Sequence, residues 1–358
     1  MAQFTPLTVT DIKRDTRDSV IVTLKPPTDA NGEFKFIQGQ YLTFRRVFDG
    51  EEMRRSYSIC AGVNDGVLRV GIKKVDGGWF SSWANEELKI GDTLDAMKPM
   101  GNFHSALKPD AARAYLGFSG GSGITPMISL IKTVLAAEKK STFTLVYGNR
   151  STSAIMFREE LEDLKNVFMG RLNIVHILES EASEVELFSG RLDREKCDEL
   201  FSRWINVDNA DLAFICGPEP MMLAVSESLK ARGMNEGAIK FELFASAQPG
   251  KAKKKAASGD VAAKGKRCSA TIILDGAARV VELAKGEETV LEAALAASID
   301  APYACKAGVC STCRAKLIEG EVDMEANYAL EDYEVERGYI LTCQSHPRTD
   351  RVVVDYDQ

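Results

Sequence analysis

The chain has 358 residues, of which 45% are hydrophobic and 27% are charged, and its formal net charge is −7. This length predicts two or three domains, and the negative charge argues against nucleic acid as the main partner. No apolar run approaches the length of a membrane span, and the first residues lack the apolar core of a signal peptide. We therefore expect a cytoplasmic protein that acts without a membrane or a nucleic acid.

The first hundred residues predict strands. Short β-branched or aromatic runs, separated by Gly, Asp and Asn turns, lie at 20–24, 41–44, 54–59 and 67–75. Repeated strands at this spacing predict a small antiparallel β-barrel, to which we assign residues 1–108.

Strand-like and helical segments alternate after Arg113. RAYLGF (113–118) reads as a buried strand, the next sixteen residues from Thr125 have helical periodicity, and further strand and helix patterns follow up to about residue 244. Such alternation predicts a doubly wound α/β domain with a parallel sheet. We assign residues 109–246 to it.

The next segment, residues 247–267, is rich in Ala, Gly, Ser and Lys and has no apolar period. A basic run can be a nucleic-acid patch, but this composition favours a flexible linker. Residues 268–358 then form a small, acidic domain of their own, with seventeen acidic and eight basic side chains.

Four cysteines in this last domain follow a specific spacing. Cys305, Cys310 and Cys313 are crowded together, and Cys343 follows downstream. The pattern C-x4-C-x2-C…C is that of plant-type 2Fe–2S ferredoxins, whereas zinc sites usually present two C-x2-C pairs. We predict these four cysteines as ligands of a 2Fe–2S cluster. The strand and helix patterns around them predict the α+β β-grasp fold.

Two motifs in the predicted barrel suit a cofactor that carries a pyrophosphate. Arg55-Ser56-Tyr57-Ser58 lies on a predicted strand, and a second strand that includes Ile72 and Lys73 follows. Gly77 and Gly78 then precede a helix that contains Ser81. A helix that begins after glycines offers N–H groups and a positive dipole end to a pyrophosphate.

The second domain carries two turns suited to a nicotinamide coenzyme. Gly121-Ser122-Gly123-Ile124-Thr125-Pro126 follows a predicted strand and opens a helix, which is where dinucleotide phosphates bind. Later, Cys216 ends a strand and Gly217 follows it, which favours a position beside the nicotinamide ring over simple core packing. The tip of the second strand carries Arg150 and Ser151 but no acid, which favours the 2′-phosphate of NADPH over NADH.

These motifs together carry a family resemblance over essentially the whole chain. The most specific segments are EEMRRSYSIC (51–60), GSGITPM (121–127), FTLVYGNR (143–150), FICGPEPMM (214–222) and PYACKAGVCSTC (302–313). The chain resembles the reductase subunits of phenylacetyl-CoA epoxidases, which belong to the ferredoxin–NADP reductase superfamily. The resemblance implies that Tyr57 packs on the isoalloxazine, Ser58 approaches its N5, Arg55 pairs with the phosphates, and Glu242 and Phe244 lie close to the flavin.

From the motifs and the resemblance we predict one set of site residues. Ser58, Cys216 and Glu242 are the candidate catalytic residues. The candidate cofactor-binding residues are Arg55, Tyr57, Ser58, Ile72, Lys73, Gly77, Gly78, Ser81, Gly121, Gly123, Thr125, Pro126, Arg150, Ser151, Cys216, Gly217, Met221 and Phe244.

The resemblance also implies an activity. Electrons would pass from NADPH through FAD and the 2Fe–2S cluster to a di-iron oxygenase component, in phenylacetate catabolism. FAD rather than FMN rests on the resemblance alone, because phthalate-type reductases use FMN with the same domain order. A reductase for a Rieske-type or steroid hydroxylase, and a non-enzymatic redox sensor, are the alternative interpretations.

Overall fold

The computed structural model describes residues 4–181, 185–244, 267–330 and 332–358. Their contacts form two compact units: one is Thr5–Met53 with Tyr57–Phe244, and the other consists mainly of the described residues from Arg267 onward. The predicted linker lies outside the described residues except for Arg267, with which a strand begins. The contacts do not separate the first two predicted domains, so their limits stay predictions. None of the described helices is long and apolar enough to cross a membrane.

Six strands form the first sheet, in the order β4-β3-β6-β1-β2-β5. They are β1 (Thr5–Thr16), β2 (Ser19–Lys25), β3 (Tyr41–Phe48), β4 (Glu51–Ser58), β5 (Leu68–Lys73) and β6 (Thr93–Ala96), and helix α1 (Trp79–Glu86) follows β5. A bridge from Ile59, just after β4, to Val70 of β5 joins the first and last strands of this order. The sheet therefore closes into the predicted antiparallel barrel around a core that includes Leu7, Val22 and Phe44.

The second sheet is wholly parallel, in the order β11-β10-β7-β8-β9. Its elements are β7 (Ala114–Gly120), α2 (Ile124–Ala137), β8 (Thr142–Asn149), α3 (Arg158–Val167), β9 (Leu172–Leu178), α4 (Arg194–Arg203), β10 (Leu212–Cys216), α5 (Glu219–Ala231) and β11 (Ile239–Glu242). Apolar residues of α2 and α3 pack on one face and those of α4 and α5 on the other. The strand order reverses between β7 and β10, which is where ligands bind in such folds.

The C-terminal unit has a five-stranded sheet in the order β13-β12-β18-β14-β16 and a two-stranded sheet, β15-β17. Its elements are β12 (Arg267–Leu274), β13 (Ala277–Ala284), α6 (Val290–Ala296), β14 (Arg314–Glu319), β15 (Val322–Met324), α7 (Asp332–Glu336), β16 (Tyr339–Leu341), β17 (Ser345–Pro347) and β18 (Arg351–Asp355). The parallel pair β12–β18 lies centrally among antiparallel neighbours, and α6 packs beneath. This is the predicted α+β β-grasp arrangement.

Candidate flavin, nicotinamide and iron–sulfur sites

The predicted flavin motif lies at the end of β4. Tyr57 is half-buried, with its ring centroid 5.6 Å from that of Phe80 and 6.2 Å from that of Phe44. Ser58 is buried beside it. The Arg55 guanidinium donates a hydrogen bond to the Arg54 carbonyl at 2.8 Å. The strand thus holds one aromatic ring and one hydroxyl at adjacent positions.

The turn before α1 is too tight for side chains. Gly77 has φ +70°, and a Cβ added at Gly78 would lie 2.7 Å from the Ser81 Oγ. The Ser81 hydroxyl accepts a hydrogen bond from the Val75 N–H at 3.0 Å and donates one to the Gly78 carbonyl at 3.2 Å. The hydroxyl group of Ser81 is therefore used to hold the turn. Only the backbone N–H group of Ser81 is left to face a phosphate at the start of the helix. Such a glycine cradle at a helix start fits a pyrophosphate.

A buried amide ties α1 to the neighbouring strands. The Asn85 side chain donates to the carbonyl groups of Ile72, at 3.1 Å, and Ser81, at 2.8 Å. In turn, the Arg14 guanidinium donates to Asn85 at 3.0 Å. Ile72 is buried in β5, and the Lys73 ammonium lies 3.7 Å from a carboxylate oxygen of Asp18. Sequence reasoning did not single out Asn85, because a lone Asn inside a helix carries no signal of its own.

The three candidate catalytic residues come together at the edge where β10 and β11 end. Cys216 is the register partner of Glu242 in these parallel strands. The Ser58 hydroxyl donates a hydrogen bond to the Glu242 carboxyl at 3.0 Å. Phe244, two residues further on, is half-buried against the core that contains α2. Ser58, Cys216 and Glu242 are far apart in sequence but thus form one small cluster of polar side chains.

Burial changes the acidity of two members of this group. It raises the pKa of Glu242 to about 8, although the hydrogen bond from Ser58 opposes the shift. Burial, together with the neighbouring carboxyl group of Glu242, raises the pKa of the Cys216 thiol well above its ordinary value. Around neutral pH, Cys216 is therefore a neutral thiol and Glu242 carries a proton much of the time.

The turns after β7 and β10 interlock through their glycines. A Cβ at Gly123 would lie 2.0 Å from the Cys216 carbonyl oxygen, and one at Gly217 would lie 2.6 Å from the Met221 methyl. Gly121 has φ +52°. Gly123 and Gly217 admit no side chain, so the two backbones approach closely at the switch point of the sheet. Gly121 has open space around it, and it is the positive φ that favours glycine there. Thr125 and Pro126 are buried in the first turn of α2.

The turn after β8 carries Arg150 and Ser151. Arg150 is exposed, and the Ser151 hydroxyl lies 3.0 Å from that of Ser153. The structure adds an acid that the sequence did not reveal: Glu181 accepts hydrogen bonds from both the N–H group, at 3.0 Å, and the hydroxyl of Thr152. Glu181 could not be assigned to this turn from the sequence, because it follows β9, the next strand along the chain. Its carboxylate is bound at both oxygens and acts as a clamp on this turn.

Among the four candidate cluster ligands, two pairs interact by hydrogen bonds, and smaller electrostatic interactions join the two pairs. Cys310 is next to Cys305, and Cys313 is next to Cys343. Two pairs of thiols match two irons with two thiolates each, whereas one zinc ion would need a single set of four. Within the described ranges, no group of three or more His, Cys, Asp or Glu side chains converges on one metal ion. This donor set fits a 2Fe–2S cluster.

The loop that carries these thiols is shaped around sulfur. The Ala307 N–H donates to the Cys305 Sγ at 3.3 Å, and the Gln344 amide donates to the Cys343 Sγ at 3.5 Å. The Cys310 thiol and the nearby backbone N–H groups lower the pKa of Cys305 to about 6, against the opposing effect of burial. Gly308 has φ +74°, and a Cβ there would lie 2.7 Å from a carbonyl oxygen of Ala326. Such N–H···S contacts tune a bound cluster.

Comparison with known proteins finds three domain families along the chain. The oxidoreductase FAD-binding domain matches residues 6–105, the oxidoreductase NAD-binding domain matches 118–227, and the 2Fe-2S iron-sulfur cluster binding domain matches 272–348. The chain is 42% identical to a subunit of the 1,2-phenylacetyl-CoA epoxidase of Escherichia coli (strain K12), over 100% of this chain and 99% of the relative. It belongs to the family of oxygenase reductases.

One further relative agrees with this assignment, and one solved structure shares the fold. The ferredoxin reductase component of 3-ketosteroid-9-alpha-monooxygenase from Rhodococcus rhodochrous is 31% identical over 98% of this chain and 96% of its own. The structure of phthalate dioxygenase reductase, described as modular for electron transfer from pyridine nucleotides to [2Fe-2S], has the same fold, with a TM-score of 0.59, 23% identity and 98% coverage of both chains. The reductase is thus an oxidoreductase with FAD-, NAD- and 2Fe–2S-binding domains.

Proposed function

We propose that this reductase passes electrons from NADPH, through FAD and one 2Fe–2S cluster, to the oxygenase component of a phenylacetyl-CoA epoxidase in phenylacetate catabolism. The observation that carries the proposal is the 42% identity, over the whole chain, to a subunit of that enzyme. When bound, a flavin accepts an electron pair and releases single electrons, which the cluster carries onward.

In this proposal, Ser58 and Glu242 handle a proton at the flavin. The Ser58 hydroxyl donates to the Glu242 carboxyl at 3.0 Å, and burial raises the pKa of that carboxyl to about 8. A group with this pKa can both take up and release a proton near neutral pH. With Ser58 facing flavin N5, as the family resemblance implies, the pair would accept the proton that leaves N5 when the reduced flavin gives up its electrons.

Cys216 has a different role. Burial keeps its thiol neutral, so it does not act as a thiolate nucleophile. We assign it to packing beside the nicotinamide ring at the end of β10. At that point Gly123 and Gly217 let two backbone segments approach closely with no side chain between them. The glycine turn after β7, with Thr125 and Pro126 behind it, holds the coenzyme phosphates.

NADPH is the proposed coenzyme because Arg150 is exposed at the tip of β8. A guanidinium group there can form charge-assisted hydrogen bonds with a 2′-phosphate. Glu181 is close to this turn, but both of its carboxylate oxygens are bound by Thr152. It therefore holds the turn in place and leaves Arg150 to meet the coenzyme.

Electrons leave through the C-terminal unit. Cys305 and Cys310 would hold one iron, and Cys313 and Cys343 the other, as their pairing suggests. The eight cysteines, all within the described ranges, form no disulfide bond, which suits the reducing cytoplasm in which we place the protein.

Reconstitution with purified oxygenase components tests the proposal. We expect NADPH oxidation coupled to epoxidation of phenylacetyl-CoA when the reductase is mixed with the phenylacetyl-CoA epoxidase oxygenase. The similarity to the 3-ketosteroid-9-alpha-monooxygenase component makes a steroid oxygenase the second candidate partner. Coupled turnover with the steroid oxygenase alone would transfer the function to that system. NADPH oxidation without coupling to either would contradict both.

A further inference from the structure

The glycine turn after β7 is held by hydroxyl groups from three directions. The carbonyl groups of Gly121, Ser122 and Gly123 each accept a side-chain hydrogen bond. The donors are Tyr147 at 2.9 Å, Thr125 at 3.1 Å and Ser119 at 3.3 Å. Three successive carbonyl groups with hydroxyl partners fix the plane of each peptide group in the turn.

Tyr147 differs from the other two donors because it reaches the turn from another strand. It lies on β8, in register with Ser119 of β7, and its side chain is fully buried. Burial also raises the pKa of its hydroxyl above the ordinary value, so the group stays a neutral donor. Its partner, the Gly121 carbonyl, belongs to the residue with φ +52°. The hydroxyl therefore supports the least common backbone conformation in the turn.

In a helical turn, carbonyl and N–H groups point in opposite directions along the axis. A side chain that fixes the carbonyl groups from within the sheet thus also fixes the N–H groups at the opposite side. We propose that Tyr147 is a positioning residue for the nicotinamide coenzyme: its hydroxyl preorganises the Gly121–Gly123 turn for the phosphates. This inference rests on the proposed function, since it needs a coenzyme at that turn.

The test is Tyr147→Phe, which removes only the hydroxyl group. One hydrogen bond contributes about 0.5–1.5 kcal/mol, equivalent to about two- to ten-fold in affinity. We expect the Michaelis constants for both NADPH and NADH to rise by about this factor, with kcat nearly unchanged. Both should shift together because the turn meets phosphates that the two coenzymes share. The Kd for NADP⁺, measured by calorimetry, should rise in parallel.

Tyr115→Phe is the matched control. Tyr115 is also buried in the same sheet, but its hydroxyl donates to Glu138 at 2.9 Å, near the opposite end of β7. It should change stability without changing coenzyme affinity. A second variant, Ser119→Ala, removes another hydroxyl group that bonds the same turn and should also raise the Michaelis constants for both coenzymes. It keeps the inference testable if Tyr147→Phe folds poorly.

Unchanged Michaelis constants in both Tyr147→Phe and Ser119→Ala would overturn the inference. So would a rise for NADPH alone, or a loss of kcat with no change in the Michaelis constants. Failure of the proposed function is a separate outcome, because the unmodified reductase would then show no NADPH oxidation coupled to epoxidation of phenylacetyl-CoA, whatever Tyr147→Phe does to the Michaelis constants.

Discussion

At the scale of single residues, we propose that coenzyme choice depends on Arg150. We expect Arg150→Ala to raise the Michaelis constant for NADPH by about ten-fold, because a charge-assisted hydrogen bond contributes about 1.5–3 kcal/mol. The constant for NADH should stay nearly the same, since NADH has no 2′-phosphate. Steady-state dye reduction with each coenzyme measures both.

Arg158→Ala controls for the loss of a surface charge, because Arg158 is an exposed arginine that pairs with Glu162 within α3. It should leave both constants unchanged. Equal effects of Arg150→Ala on the two coenzymes would assign Arg150 to solvent or to the structure of its turn.

Glu242 gives a second prediction at this scale, on the pH dependence of stability. Its pKa rises from an ordinary 4.5 to about 8 in the folded protein, so the folded state binds a proton more tightly than the unfolded chain. Stability from this group is complete below pH 4.5 and is lost as pH rises towards and through about 8. In Glu242→Gln, the thermal midpoint should therefore fall less between these pH values than in the unmodified protein.

Glu227→Gln is the control for that experiment, because Glu227 is an exposed carboxyl on α5 that pairs with Arg194. Its stability profile should follow that of the unmodified protein. If the thermal midpoint depends on pH in the same way in Glu242→Gln and in the unmodified protein, the pKa of Glu242 is not raised in the folded protein.

At the scale of elements, the cysteine loop is held by contacts within the C-terminal unit. Its own backbone N–H groups reach the sulfurs, and Gly308 lets it fold tightly. We expect Cys310→Ser or Cys343→Ser to abolish the cluster and leave the flavin bound, because the barrel has a separate core. Iron content and the visible spectrum measure the loss directly. NADPH-dependent reduction of a two-electron dye should persist, while reduction of cytochrome c slows.

Cys268→Ser is the matched control, since Cys268 is buried in β12 of the same unit but outside the loop. It should retain the cluster with its full iron content. A full 2Fe–2S spectrum in Cys310→Ser or Cys343→Ser would disprove the ligand assignment.

The elements also show what sequence could predict. Three kinds of feature could be predicted because each is a local pattern with a local physical cause: the strand and helix patterns, the cysteine spacing and the glycine turns. Asn85, Tyr147 and Glu181 could not, because each acts on a segment that is distant in sequence. Each of them also bonds a backbone group, which carries no residue signature. The fold and the family were therefore predictable, whereas the side chains that hold the motifs in place were not.

At the scale of the whole molecule, three cofactor domains on one chain link a two-electron donor to a one-electron acceptor. The C-terminal residues 268–358 carry seventeen acidic against eight basic side chains, and the chain as a whole carries −7. Two exposed acids, Asp332 and Glu336, lie on α7. This helix is anchored near the cluster loop because Arg314, which follows Cys313, bonds Glu334 of α7. These two acids thus lie near the proposed cluster, through which electrons would leave.

This position predicts that opposite charges steer the oxygenase to α7. Steering speeds encounter more than it strengthens a transient complex, and the Debye length falls from about 10 Å at 0.1 M salt to about 3 Å at 1 M. Electron delivery to the oxygenase should therefore slow over this range, while hydride transfer from NADPH, followed by rapid mixing, changes less. Asp332→Asn with Glu336→Gln should reduce both the rate at low salt and its salt dependence. The same loss of two charges on α3, Glu159→Gln with Glu162→Gln, should not. Oxygenase turnover that is constant from low to high salt would show that the acids serve another purpose, such as keeping the unit hydrated.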